Sequence, residues 1–340
     1  MPELSVYCDV LDEPARAAAL SHLLLDEARA RSAPILCAYA LPGDVLALGR
    51  YHVIPPAVPR GDVRLLRRLG GGRPAPLGDG YVGLVLALPH RAALIGEDPA
   101  ALAPEQVLNR AVRGLLGALQ SLGVNGYYPG RDRVTVDGRV VAALGFEVAS
   151  DGATLVEACV AVARSFAEVS AFADRADPGG VVPIDLLLPE EGTCIAESGT
   201  RAPDLDEFTA ALAVGYAERL GLDVAMSEGV RAPSPNPGWL EAGRLAPHLD
   251  RHASARDMLG VIEVYAARAG DHVGDVRLCG DLIAASGTVA RLEAALRDAP
   301  IDRVELCRRA AAAVEACGDV LLGVRSVATI GELVYTACAA

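Results

Sequence analysis

Residues Arg67-Arg68-Leu69-Gly70-Gly71-Gly72-Arg73-Pro74 bring cations together with three consecutive glycines, directly after an apolar stretch. Glycine permits close backbone approach and positive φ, so successive N–H groups can converge on an anion, and a guanidinium adds a planar, permanently charged clamp. The chemistry on offer is the holding of a phosphate or carboxylate. The N–H groups of Gly71, Gly72 and Arg73 would form the cradle, and Arg68 or Arg73 would neutralise the charge. The competing reading is a flexible turn with solvated arginines, and for Arg67 a solvated surface position is the expectation.

Other reactive side chains are dispersed. Eight cysteines contain no C-x-x-C pair and have mostly apolar neighbours, the pattern of buried thiols in a reducing compartment. The six histidines show no metal-ligand spacing, and no metal site is expected. All 31 basic residues are arginine, because the chain contains no lysine. A formal charge of -13 argues against a nucleic-acid partner. No apolar run reaches the roughly 18 residues of a membrane span, and the start Met1-Pro2-Glu3-Leu4 lacks a basic leader. A cytoplasmic protein without membrane contact is expected.

The elements that must carry the glycine run follow from periodicity. Leu4 to Val10 reads as a strand, and Glu13-Pro14 opens a helix through Leu20, Leu23, Leu24 and Ala28. Ile35 to Tyr39 and Val45 to Leu48, separated by Leu41-Pro42-Gly43-Asp44, carry a hairpin signature. A strand Val63 to Leu66 leads into the glycine run, and Tyr81 to Leu88 follows as a buried strand, so the run is slung between strands. Pro104 to Leu122 has helical spacing and stops at Gly123, while Val134 to Val136 and Val140 to Val148 form a hairpin through Asp137-Gly138. A loop-rich stretch over 176–203 precedes a helix from Leu205 to Leu220. The domain boundary is expected between Pro233 and Ser254, dividing the chain into 1–240 and 241–340. In the second part, Val261 to Ala267 and Val276 to Leu278 read as paired strands, with helices at Val289 to Leu296 and Val304 to Val314.

Several segments, in order, resemble lipoate-protein ligases and the related octanoyltransferases, which share a fold with biotin-protein ligases. Leu25-Asp26-Glu27-Ala28 is similar to the family's first helix, and Val45 to Tyr51 (VLALGRY) to its "slGryq" strand. Arg67 to Gly72 falls at the RR-x-x-GGG loop, Gly130-Arg131-Asp132 at G-R-N-D, and Asp137 to Gly145 at the D-G-R-K-I-A-A-L-G hairpin. Gly260 to Val264 and Gly280-Asp281-Leu282 resemble the accessory domain. The resemblance implies an α+β fold: a mixed-sheet biotin/lipoate-protein-ligase-like catalytic-type domain followed by a small C-terminal α+β accessory domain. It implies a lipoyl or octanoyl ligand, ATP and Mg where ligase activity is retained, and a lipoyl-domain acceptor. The substrate-binding positions it implies are Arg68, Gly70, Gly71, Gly72, Arg73, Asp132, Val140 and Gly145.

Three departures touch catalysis. The family lysine on the hairpin, an ammonium set against developing negative charge, is Val140 here. Arg139 stands next to it and would face away by strand alternation unless a bulge intervenes. The family histidine aligns near Leu77, and the Pro-Cys-Gly thiol of octanoyltransferases meets Pro178-Gly179-Gly180. Cys194 is the better replacement thiol; Cys159, in the apolar run Val156 to Val162, reads as packed core. Two functions stay open: a lipoate or octanoate ligase using Arg139 or Arg73 in place of lysine, and a non-catalytic acyl-binding or regulatory homologue (a pseudoenzyme). A structural partner with neither activity is a third.

Overall fold

The computed structural model describes residues 3–54, 62–177, 180, 187–198, 201–227, 233–316 and 321–339. In chain order these form β1 (Glu3–Val10), α1 (Pro14–Arg31), β2 (Ile35–Ala40), β3 (Asp44–Leu48), β4 (Arg64–Arg67), β5 (Ala75–Gly78) and β6 (Tyr81–Leu88). There follow α2 (Val107–Ser121), β7 (Gly126–Tyr127), β8 (Arg133–Val136), β9 (Arg139–Val148), β10 (Thr154–Ala161), α3 (Val169–Ala176), α4 (Ile195–Ser198), α5 (Leu205–Leu220) and β11 (Asp223–Met226). The short α6 (Pro237–Glu241) leads to β12 (Arg251–Arg256), β13 (Val261–Ala269), β14 (His272–Gly280), β15 (Ile283–Ala284), α7 (Ser286–Leu296), α8 (Arg303–Glu315), β16 (Leu321–Leu322) and α9 (Ala328–Ala339). Pro14 opens α1, where its missing N–H costs nothing, and Ser32 ends it in the left-handed region at φ 51°.

Among the described residues the main sheet has eight strands in the order β11-β1-β2-β6-β10-β9-β8-β7. β1 pairs in parallel with β2 and β11, and the other pairings are antiparallel. One face packs against α1 and β5; the other carries α2 and α5. These two helices cross at close backbone range: a Cβ on Gly117 would stand 2.7 Å from Gly215 Cα. β3, β4 and β5 make a separate sheet of order β4-β3-β5. The hairpin expected between 35 and 48 is therefore not formed. β2 lies between β1 and β6, whereas β3 pairs with β4 and β5. Both runs are apolar and buried, without the alternation that would reveal a partner, so proximity in sequence misled.

The expected α+β architecture of a mixed sheet and a small C-terminal unit is present. Two apolar clusters hold it together. One gathers side chains from Leu4 to Leu222 with Leu259 and Ile283; the other joins Tyr51 to side chains from Ala253 to Cys338. In the second, β12-β13-β14 pack with α7, α8 and α9. No helix among the described residues is long and apolar enough to cross a membrane.

Candidate functional site

The glycine run connects β4 to β5 and crosses β9, and each glycine N–H finds an acceptor inside the protein. Gly70 donates to Glu157 Oε2 at 2.6 Å, Gly71 to the Phe146 carbonyl at 3.2 Å, and Gly72 to the Leu282 carbonyl at 2.6 Å. Only Gly72 of the three has a positive φ, 98°. Gly71 is glycine for a different reason: an added Cβ would overlap the Leu282 carbonyl oxygen and stand 3.1 Å from Ile283 Cα. Across from it, a Cβ on Gly145 would overlap the Gly71 carbonyl. The run is thus pressed between β9 and the turn joining β14 to β15.

The arginines do three different jobs. Arg67 is 8% exposed, which corrects the solvated position expected for it. Its Nη2 and Nε donate to the Arg50 carbonyl at 2.8 and 3.0 Å, its Nη1 donates to the Trp239 carbonyl at 3.0 Å, and Trp239 Nε1 donates back to the Arg67 carbonyl at 2.8 Å. Its guanidinium also lies 4.4 Å from the indole centroid, and burial together with Arg50 and Arg277 pulls its pKa down to about 10. Arg68 is 2% exposed; Nη2 donates to the Arg73 carbonyl at 2.6 Å, while Nε and Nη1 have no hydrogen-bond partner. Arg73 Nε donates to Asp132 Oδ2 at 2.8 Å.

Two buried carboxyls answer these cations. Glu157 accepts from Gly70 N–H and, at 2.7 Å, from Ser21 Oγ. Burial raises its pKa, and the charge of Arg68 with those hydrogen bonds opposes the rise. Asp132 has no solvent exposure, and one of its oxygens, Oδ1, lacks a partner. Burial raises its pKa too, against the pull of Arg73 and Arg133.

The β8–β9 hairpin decides which residue faces the glycine run. Val134 opposes Ala142 but Thr135 opposes Val140, so Val141 is bulged. Directly opposed residues share a face, and Gly145 and Ala143 point to the glycine run. Arg133 opposes Ala143, and Thr135, two residues on, opposes Val140; hence Val140 lies on that same face. Arg139 opposes Val136 on the other face, where Nη1 donates to Glu197 Oε2 at 3.3 Å. Arg139 does face away, but because a bulge is present and not because one is absent. Val140 itself is 4% exposed, and its carbonyl accepts from Thr193 N–H at 2.9 Å.

Three of the remaining sequence candidates are buried. Leu77 is wholly covered in β5 opposite Val45. Cys194 is 1% exposed, and burial raises its pKa, the opposite of what a nucleophilic thiol needs. Cys159 lies on β10 and is pushed up to about 11 by burial. Pro178 and Gly179 of the Pro178-Gly179-Gly180 segment lie outside the described residues.

Sequence reasoning missed Ser21, Arg133, Glu157, Trp239 and Leu282. Glu157 had a signal, a lone carboxylate inside the apolar run Leu155 to Val162. Leu282 had none, since a main-chain carbonyl contributes to the site. The C-terminal unit reaches it through further bonds: Tyr51 OH donates to the Ala284 carbonyl at 2.9 Å, Gly280 N–H to the Tyr51 carbonyl at 3.1 Å, and Ser286 N–H to Glu147 Oε1 at 3.0 Å. His52 Nε2 and Asp281 Oδ1, both fully buried, meet at 3.2 Å.

The three glycines offer an incoming anion no uncommitted N–H group. The N–H groups of Gly70, Gly71 and Gly72 that would cradle a phosphate already serve Glu157, Phe146 and Leu282.

No family model and no curated protein matches the chain in sequence. Solved structures do match in shape. LipL1 of P. falciparum in complex with lipoate is similar over 98% of this chain and 99% of its own, with a TM-score of 0.66 at 12% identity. Protein Ta0514 of T. acidophilum, a putative lipoate protein ligase with bound lipoic acid, matches 72% of this chain and 92% of its own at a TM-score of 0.51 and 13% identity. Lipoate-protein ligase A bound with ATP covers the same shares at 0.51 and 15% identity. The fold is that of the lipoate-protein ligases.

Proposed function

We propose that this chain, built on the lipoate-protein ligase fold, holds a lipoyl or octanoyl group for attachment to a lipoyl-domain acceptor. The observation that carries this reading is Arg68. Its guanidinium is buried against β9, with Nε and Nη1 lacking partners and Nη1 3.7 Å from where a Gly145 Cβ would stand. Leaving a buried donor unmade costs about 1–3 kcal/mol, and more where the group is charged, and an oxyanion is the ligand that removes the cost. Arg73, fixed by Asp132, and the strand residues Ala143 and Gly145 bound the same region. Free thiols throughout the described chain agree with work in a reducing compartment such as the cytoplasm.

In this role Arg68 binds and orients the head group, while the covered sheet face excludes water. ATP with Mg would supply activation of the acid in a ligase, and its phosphates would need a seat other than the committed glycine donors. That commitment, with Val140 buried where the family has lysine, favours a second reading: a non-catalytic acyl-binding homologue. Incubation with ATP, Mg²⁺, octanoate or lipoate and an apo lipoyl domain separates the two, followed by acceptor mass, pyrophosphate release and calorimetric binding. Acceptor modification establishes the enzyme. Binding without turnover establishes the binder, and absence of acyl binding by the unmodified protein refutes both.

A further inference from the structure

An open cavity of about 490 Å³ lies at the β7 edge of the main sheet, within the roughly 300–1,000 Å³ of small-ligand sites. It is on the far face from the glycine run. On β9, Gly145 meets the run, whereas Leu144 beside it packs with Ala111 and Leu115 of α2. Helical spacing puts Arg113, Leu116 and Gln120 of α2 on one stripe along the cavity, and the segment after α2 adds Asn125 and Gly126. Arg219 comes from α5. It reaches across because the two helices cross at glycine: a Cβ on Gly117 would stand 2.9 Å from Arg219 Cγ. Two guanidiniums from separate helices thus share one cavity.

Nothing in the lining neutralises them. Acidic residues outnumber basic ones in the chain, 44 to 31, yet the cavity wall holds no carboxylate. Among the described residues Arg113 makes no hydrogen bond or ion pair, and Arg219 Nη2 donates to the uncharged Gln120 Oε1. Arg110, one turn back on α2, has a buried Nε without a partner, and burial with the charge of Arg113 lowers its pKa. The helix dipole accounts for Arg219, in the last turn of α5, but Arg113 stands mid-helix, where the dipole explains nothing. Acceptors at the end of α2 are spent as well: the carbonyls of Ala118, Leu119 and Gln120 take the N–H groups of Leu122, Val124 and Gly123.

We infer that this cavity binds a small organic anion with two or more negative charges, a polycarboxylate or a phosphate ester, clamped between Arg113 and Arg219. Each guanidinium can meet an oxyanion with paired N–H groups, and one ligand of double charge relieves the repulsion between the two cations. The Asn125 amide adds an uncharged donor, and Leu116 gives the ligand a short apolar wall. The site is independent of the acyl-binding reading above.

Calorimetry on the full chain at about pH 8 and low ionic strength tests this with citrate and phosphoglycolate, one probe for each anion class, and acetate as the single-charge control. At least one probe is expected to bind with a Kd below about 1 mM, and acetate at least about tenfold more weakly. Arg113→Gln and Arg219→Gln, both at exposed helix positions, are each expected to weaken that binding about 10- to 100-fold, the worth of one charge-assisted pair. Arg303→Gln removes the same charge from α8, where Arg303 pairs with Glu332, and is expected to leave the affinity as it was. Either order of preference between citrate and phosphoglycolate supports the site and identifies the class of its ligand. Absence of binding by both probes, undiminished binding in Arg113→Gln, an equal loss in Arg303→Gln, or acetate binding as tightly as the probes each overturns the inference.

Discussion

Gly71→Ala isolates the contact between the glycine run and the C-terminal unit. Gly71 is absent from the positive-φ glycines, so alanine meets no backbone penalty, and its smaller unfolded-state entropy would by itself stabilise the protein by about 0.4–1 kcal/mol. Any loss must come from space. The new Cβ would overlap the Leu282 carbonyl oxygen and crowd Ile283 Cα at 3.1 Å, both main-chain atoms that cannot rotate aside. Relief requires the β14–β15 turn to withdraw by about 1 Å, which breaks the 2.6 Å bond from Gly72 N–H to Leu282. Overpacking and one unmade buried donor together cost about 2–6 kcal/mol, leaving a net loss of about 1–5.5 kcal/mol. Gly287→Ala is the control: its Cβ meets nothing within 4 Å on α7, and it should be neutral or slightly stabilising. Urea unfolding followed by far-UV circular dichroism and by the emission of Trp239, the only tryptophan, measures both variants. Equal midpoints for Gly71→Ala and the unmodified protein would refute the docking of Leu282 on the run.

Two further outcomes follow from buried groups. Val140→Lys restores an ammonium on the face of the glycine run; it should lower stability, because the site is 4% exposed, yet raise acyl transfer to an apo lipoyl domain by roughly 10²-fold if the pocket is otherwise competent. Retained octanoate binding with no gain in acceptor mass shift would place the loss of activity at more than this residue. Alkali should destabilise the fold through the Cys159 and Cys279 thiols, which burial pushes up to about 11 and about 12 from 9.0. Above pH 9 the unfolded chain releases these protons and the folded chain keeps them, so stability falls by about 1.4 kcal/mol per thiol per pH unit until each folded value is reached. Comparing Cys159→Ala with the parent between pH 9 and 11 checks the slope; identical slopes would refute the assignment.

The parts of the site that were legible in the sequence are those set by local chemistry. Asp137-Gly138 announced the β8–β9 turn because both residues must take positive φ, and they do, at 50° and 80°. The run Arg67 to Pro74 was visible because glycines beside arginines are informative wherever they fall. What stayed hidden depends on partners distant in sequence. β2 and β3 are too short and too buried to reveal that they belong to different sheets. The Val141 bulge reverses the face of Val140 relative to simple alternation, and its cause lies in the pairing with β8. Arg67 looked like a surface charge because its acceptors are main-chain carbonyls of Arg50 and Trp239, which no side-chain pattern displays.

Main-chain acceptors likewise set what the glycine run can hold without rearrangement. A carboxylate needs a cation, and Arg68 Nε and Nη1 offer one while Leu282 stays on Gly72. A phosphate-bearing ligand that draws on the glycine N–H groups must first displace the Leu282 carbonyl, and the free energy of that contact is then subtracted from its affinity. The loss expected for Gly71→Ala and the penalty on such a ligand thus share one origin, the carbonyl of a second unit placed where an anion would otherwise sit. Because the bond is made by main chain, no side-chain substitution at Leu282 removes the acceptor; the discrimination is written into glycine at 71 and the close approach it allows.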